Sequence, residues 1–178
     1  MIIANHMINE TDIQVLWMVL SPQNPLKKKS TLANDYDRLH LLHLAIGDDN
    51  KIKASDVEFN MPKPSYTIDT MEYLEKKHPE HEFILIMGSD NLETFHKWKN
   101  YELLLKRYQI YIYKRPNSEL NKLATLDNIK VWEAPLIEIS STYIRQLILD
   151  KKSIRYLVPD KVYEYLADYK LYEKLLSQ

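Results

Sequence analysis

The segment Ile139-Ser-Ser-Thr-Tyr-Ile-Arg145 decides how this chain folds. Apolar, strand-like runs precede it (Ile129-Lys-Val-Trp132, then Leu136-Ile-Glu-Ile139), and a helical pattern from Tyr143 to Leu149 follows. Ser140, Ser141 and Thr142 stand at the changeover. Their hydroxyls suit a helix N-terminus because they accept hydrogen bonds from the orphan amides of the first turn. The same amides, with the helix dipole, favour an anion there. Arg145, one turn inside, can add a guanidinium around a phosphate. On these residues alone, a plain N-cap followed by a surface arginine is an equal reading.

The same succession of apolar run, polar cluster and helix recurs upstream. Met1–Glu10 reads as a short helix. Ile13–Leu20 is a near-continuous apolar run, expected as a strand buried on both faces of a parallel sheet. Ser21–Lys29 is a loop with two prolines and three consecutive lysines, and Asn34–Ile46 is helical with Leu39, Leu42 and Ile46 on one face. Lys53–Asn60 reads as another strand. Thr67–Lys77 is a helix closed by His78-Pro79. Phe83–Met87 is the clearest buried strand, ending at Gly88-Ser89-Asp90, and a helical segment carrying Leu92, Phe95 and Trp98 follows. Tyr101–Arg107 continues or restarts that helix. Gln109–Tyr113 is a strand and Lys114–Leu126 a polar connection. Helices are expected at Thr142–Asp150, Pro159–Asp168 and near Leu171–Leu176.

Strands alternating with helices give an α/β fold, an open parallel sheet with helices on both faces and a helical C-terminus. Ligands of such sheets bind beyond the carboxyl ends of the strands. Three polar clusters follow apolar strands: Ser21–Lys29, Gly88–Asp90 and Ser140–Arg145. They are expected at one rim of one domain spanning residues 1–178.

Bulk properties remove whole classes of function. A net charge of −1 offers no electrostatic footprint for nucleic acid or an anionic membrane. With no cysteine there is neither a disulfide framework nor a thiolate metal site, which suits a reducing cytoplasm. The start lacks the basic, apolar pattern of a signal peptide, and no run approaches the ~18 apolar residues of a membrane span. Gly47 and Gly88 are the only glycines, so glycine-rich phosphate loops of the G-x-G-x-x-G or G-x-x-x-x-G-K-[ST] type are absent. A phosphate site must then use helix caps and side chains.

Gly88-Ser-Asp-Asn-Leu-Glu-Thr-Phe-His-Lys-Trp98, with its G-x-D and later tryptophan, joins Ile139–Arg145 in a larger pattern. Pro64-Ser-Tyr-Thr-Ile-Asp-Thr70 gives P-S-Y-T-x-x-T, and Arg38, Leu41, Leu44 and Ala45 give R-x-x-[ML]-x-x-L-A. With the ending Val158-Pro159…Val162…Tyr165…Leu171-Tyr172, the chain resembles the bacterial nicotinate mononucleotide adenylyltransferases, of the Rossmann-type nucleotidylyltransferase superfamily. The resemblance runs from the first residue to about Tyr172. One departure stands out: the family's opening strand and H-x-G-H motif are not in this sequence. Met1–His6 resembles the helix that follows that motif. The resemblance therefore implies that the first central strand is missing, a strand plus loop on the order of 10–20 residues. His6 lies inside the helix and does not stand in for the motif.

The resemblance implies transfer of AMP from ATP to nicotinate mononucleotide, giving deamido-NAD and pyrophosphate. The nucleophile is a phosphate oxygen already ionised at neutral pH, so alignment and charge neutralisation suffice. Ser141, Thr142 and Arg145 are the implied catalytic residues. Together with Ser140, Gly88, Asp90 and Lys28 they would bind ATP, Asp90 taking a ribose hydroxyl. Tyr66, Thr67 and Trp98 would hold the mononucleotide. Without the resemblance, Asp90 reads equally as a helix N-cap, and Trp98 reads as core packing with Phe95. Where the family's loop ends P-P-H-K, this chain has Pro25-Leu26-Lys27-Lys28, and Lys29 reads as a solvated charge. Mg2+ would arrive with the ATP. His40 and His43 read as a polar helix face, and His78, His81 and His96 lack metal-site spacing, so no dedicated metal site is expected. Implied partners are ATP and nicotinate mononucleotide, with no nucleic acid or membrane and room for a homo-oligomer. Two alternatives stay open: another adenylyltransferase of the superfamily, such as pantetheine-phosphate adenylyltransferase, or a non-catalytic remnant lacking the central strand.

Overall fold

The computed structural model describes residues 1–22, 33–116 and 118–172. The chain forms two compact units, one built on Asp12–Met61 and the segment from Ile137, the other on Ile2–Thr11 and Pro62–Leu136. Both are α/β, with parallel strands flanked by helices.

In the first unit, β1 (Leu16–Val19) pairs in parallel with β2 (Ile52–Ser55), Leu16 opposite Ile52 and Val19 opposite Ser55. Between them runs α2 (Asp35–Ile46). Its N-cap is Asn34, whose side chain accepts from the Asp37 N–H at 2.9 Å. Gly47 ends it with φ 60° and ψ −128°, a backbone conformation that a side chain would strain. Two further helices, α5 (Ser141–Leu149) and α6 (Asp160–Tyr169), complete the unit. Ile154, Val162 and Leu166 form its buried centre, with Leu41, Leu44, Ile144 and Leu147 packed around them. The face of α2 in this core carries Leu41, Leu44 and Ala45, opposite the Leu39, Leu42 and Ile46 face read from the sequence.

In the second unit, β3 (Ile84–Gly88), β4 (Gln109–Tyr113) and β5 (Ile129–Trp132) lie in the order β3-β4-β5, all parallel. The helices here are α1 (Ile2–Glu10), α3 (Thr67–Lys77) and α4 (Tyr101–Arg107). Strand β4 is the centre of the sheet, and Ile110, Tyr111 and Ile112 are each fully buried. Ile68, Leu92, Phe95, Leu104 and Ile129 close the core around it. Truncating a side chain such as Leu104 would cost ~2–5 kcal/mol, the usual price of a cavity in a packed core.

Helices α3 and α4 and strand β4 keep the bounds read from the sequence; other expectations change. Strand β1 covers only four residues, each half-buried rather than buried on both faces. The run expected as a strand over Lys53–Asn60 divides, with β2 ending at Ser55 and a 3-10 turn over Val57–Asn60. In the second unit β4, not Phe83–Met87, is the most buried strand: Ile84, Leu85 and Ile86 are half-buried. Ser89–Lys97 is 3-10 rather than α-helical. At three residues per turn, Leu92 and Phe95 fall on one edge, with Trp98 next in line at the C-cap. Leu136–Ile139 forms no strand; Pro135 lacks a ladder donor and Leu136 is 76% exposed. Most of the expected Leu171–Leu176 helix lies outside the described residues. No helix among the described residues is long and apolar enough to cross a membrane.

Candidate functional site

In the first unit, the polar groups expected to meet phosphate gather at the start of α5. Ser140 alone is the cap: its backbone is extended, and its hydroxyl accepts from the Tyr143 N–H at 3.1 Å. Such a cap contributes roughly 1 kcal/mol. Ser141 and Thr142 are instead the first helical residues, and both are exposed. Arg145 curls back along the helix, its Nη2 donating to Thr142 Oγ1 at 3.2 Å. One turn of helix thus presents two hydroxyls, uncommitted N–H groups and a cation on one side.

Two neighbours set the charge of this end of the unit. Burial raises the Tyr172 phenol above its ordinary value, and the guanidiniums of Arg145 and Arg38 pull it back. Tyr172 thus lies within electrostatic reach of both arginines. Arg38 is itself anchored, donating to the Ser21 carbonyl at 3.1 Å and pairing with Asp35 at 3.3 Å. Lys27, Lys28 and Lys29, the basic loop expected to meet ATP, lie outside the described residues.

In the second unit the chain leaves β3 at Gly88. The backbone there is ordinary and extended (φ −75°), so the glycine is required for room. A Cβ would collide with the Asp90 carboxylate and lie 3.1 Å from the Arg115 side chain. Asp90 is not a helix cap, contrary to the alternative reading; the cap position is Gly88, with no side-chain bond. Asp90 Oδ2 instead accepts from Arg115 Nη1 at 3.1 Å. Ser89 is fully buried, and its hydroxyl accepts from the Arg115 N–H at 2.8 Å and bonds the Ser118 hydroxyl. Ser118 in turn donates to the Arg115 carbonyl at 3.0 Å. The loop after β4 is thereby fastened to the loop after β3. Beside it opens a cleft of about 480 Å³ lined by Lys114, Arg115, Ser118, Glu119, Glu133 and Leu136. His6 Nε2 lies 2.6 Å from the carbonyl of Glu133, one of the lining residues.

The three residues expected to hold a mononucleotide also belong to this unit. Tyr66 caps α3, its carbonyl accepting from the Thr70 N–H at 3.1 Å, and Thr67 is the first helical residue. Trp98 packs on Phe95 with ring centroids 5.2 Å apart, so the core role is real. Its Nε1 is buried and has no hydrogen-bond partner among the described residues. Tyr66 and Trp98 border the same apolar core. Lys99 Nζ stands 4.8 Å over the Tyr66 ring and 2.8 Å from Asp69 Oδ2. The cation next to Trp98 is therefore balanced by a carboxylate.

Sequence reasoning missed Arg115 and Asp69. Arg115 was within reach of its own rule, since it closely follows β4; Asp69, one turn past Tyr66, carried no signal. It also missed a cluster away from both loops. His78, Glu80 and His81, read as lacking metal-site spacing, bring three ligand atoms within 4.8 Å of one another.

The comparisons with known proteins agree over nearly the whole chain. Residues 1–147 match the cytidylyltransferase-like family model. A relative from Flavobacterium psychrophilum named "Probable nicotinate-nucleotide adenylyltransferase" is 49% identical over 98% of this chain and 91% of its own length. A relative of the same name from Flavobacterium johnsoniae is 51% identical over the same shares. Among solved structures, Plasmodium falciparum nicotinic acid mononucleotide adenylyltransferase complexed with NaAD superposes with a TM-score of 0.76. It is 19% identical, over 96% of this chain and 90% of that one, a likeness of fold.

Proposed function

The chain belongs to the nicotinate-nucleotide adenylyltransferase family of cytidylyltransferase-like proteins, and from that premise we propose that it transfers the adenylyl group of ATP to nicotinate mononucleotide, a step of NAD biosynthesis. A phosphate oxygen of the mononucleotide attacks the α-phosphorus of ATP. The bond from that phosphorus to the bridging oxygen breaks, and pyrophosphate leaves with the bond's electron pair. No proton need be removed from the nucleophile. What the protein must supply is alignment and compensation of charge on the phosphates.

The observation that carries this reading is the turn at Ser140–Arg145, where Arg145 lies against Thr142 at the open end of α5. Ser141, Thr142 and the first-turn amides would receive phosphate oxygens, and Arg145 would neutralise the departing pyrophosphate. Lys28 would add a point charge from its loop. Asp90 would accept from a ribose hydroxyl, steadied by Arg115, while Gly88 leaves that carboxylate its space. Tyr66, Thr67 and Trp98 would frame the pyridine ring. The donors around Ser140–Arg145 are hydroxyls and a guanidinium, fit for phosphate oxygens and not for a hard cation. Mg2+ would therefore be held by phosphates and water, where it would spread the charge of the triphosphate.

Pyrophosphate release from ATP tests the reading, with nicotinate mononucleotide, its amide and phosphopantetheine as acceptors. The assay is run on this chain and on a form extended through the codons upstream of Met1. Turnover with the acid mononucleotide in either form is expected. Turnover with phosphopantetheine alone would move the chain to another adenylyltransferase, and no turnover in either form would leave only the fold.

A further inference from the structure

We propose that His78, Glu80 and His81 form a binding site for a borderline divalent metal of the Zn2+ or Co2+ type, separate from the nucleotide chemistry.

The site follows from how α3 ends. The His78 N–H donates to the Leu74 carbonyl at 2.8 Å, the last bond of the helix, and Pro79 cannot extend it. The chain then turns, the His81 N–H returning to the His78 carbonyl at 3.0 Å. That turn lays the two imidazoles together, centroids 5.9 Å apart and planes 24° from parallel. The His81 ring meets the edge of Phe83, just ahead of β3, at 6.1 Å. The histidines are thus held by the helix end on one side and the strand entry on the other.

Glu80 completes the donor set. Its Oε1 lies 3.5 Å from His78 Nδ1 and 3.6 Å from His81 Nε2. Bonds of about 2.0–2.1 Å to a tetrahedral zinc place neighbouring ligand atoms ~3.4 Å apart. Two of the three edges are therefore already near the length a metal would impose. The third, between the two imidazole nitrogens, is no longer than 4.8 Å. A glutamate carboxylate is ionised at neutral pH, so Glu80 offers an anionic oxygen beside the two ring nitrogens. Two imidazoles and a carboxylate select zinc-like ions over Mg2+ and Ca2+, which take oxygen ligands. Three protein ligands leave a fourth position for water.

The position also separates this site from catalysis. Thr67, expected to face the mononucleotide, begins α3, and an 11-residue helix puts its far end about 16 Å away. A metal here would staple the end of α3 to the entry of β3 and stabilise the second unit by mass action.

The test is calorimetric titration of the tag-free, nucleotide-free full chain with Zn2+, with Co2+ absorption as a second readout. One equivalent should bind, excess Mg2+ should not displace it, and Co2+ should give the visible bands of a four-coordinate ion. His78→Ala and His81→Ala should each weaken binding by roughly tenfold or more, at least the loss that follows from removing a supporting hydrogen bond at metal sites. His43→Ala, on an exposed face of α2, should leave it unchanged. Absence of saturable binding, affinity unchanged from the parent in His78→Ala or His81→Ala, or an octahedral Co2+ spectrum would overturn the site.

Discussion

Arg115 and Asp90 meet at 3.1 Å, joining the loop that leaves β4 to the loop that leaves β3. Both side chains are about half exposed, so the pair adds little to stability, under about 1 kcal/mol. Its value lies in aiming a carboxylate. We expect Arg115→Ala to leave the unfolding midpoint within a few degrees of the parent while raising the KM for ATP. Asp90→Asn should do the same, since an amide accepts less strongly. Steady-state kinetics alongside thermal unfolding separate the two effects; a large loss of stability in either variant would make the pair structural.

Ser89 presents the opposite case. Its hydroxyl is buried and serves both the Arg115 N–H and Ser118. Ser89→Ala strands the Arg115 N–H, at a cost of about 1–3 kcal/mol. Denaturant unfolding should show that loss.

At the start of α5, Arg145→Ala should cut kcat by about 10²–10³-fold, the usual consequence of removing a donor to charge that develops in the transition state. Arg145→Lys restores the charge but not the fork, so only partial recovery is expected. Ser140→Ala removes the cap and should destabilise by about 1 kcal/mol with a smaller kinetic effect. Equal kcat losses in Ser140→Ala and Arg145→Ala would point to helix fraying instead.

Trp98 offers a substitution that separates packing from polarity. Because its Nε1 is buried with no partner among the described residues, Trp98→Phe gives up no hydrogen bond to them. Stability should fall only through the cavity that the smaller ring leaves against Phe95, while KM for the mononucleotide rises through the lost ring area. Comparing KM for the two substrates checks this.

Alkaline pH probes the outer face of α3. Burial, then the 3.0 Å bond to Glu75, push the Tyr108 phenol up to about 12 from an ordinary 10.0. Between those values the unfolded chain has released a proton that the folded chain keeps, so stability falls as pH rises. The contribution is complete below pH 10 and gone above about 12. Tyr108→Phe should flatten this part of the stability profile relative to the parent, as read by urea midpoints across the range.

The α/β class, helices α3 and α4, strand β4 and the cap at Ser140 were legible in the sequence. These are local properties. Hydrophobic periodicity, a proline after a helix and a hydroxyl before one act within a few residues of chain. The 3-10 form of Ser89–Lys97 was not legible, since apolar residues three apart fit either helix. The partners of these residues were decided only by tertiary structure. Arg115 is 25 residues from Asp90, and Lys99 is 30 from Asp69. Nothing in a linear pattern couples positions so far apart; parallel pairing of β3 with β4, and a shared core under α3 and Trp98, do. The turn at His78–His81 shows the same limit at short range. Its spacing was plain to read, but the convergence of its side chains depends on how α3 ends and where Phe83 holds the second ring.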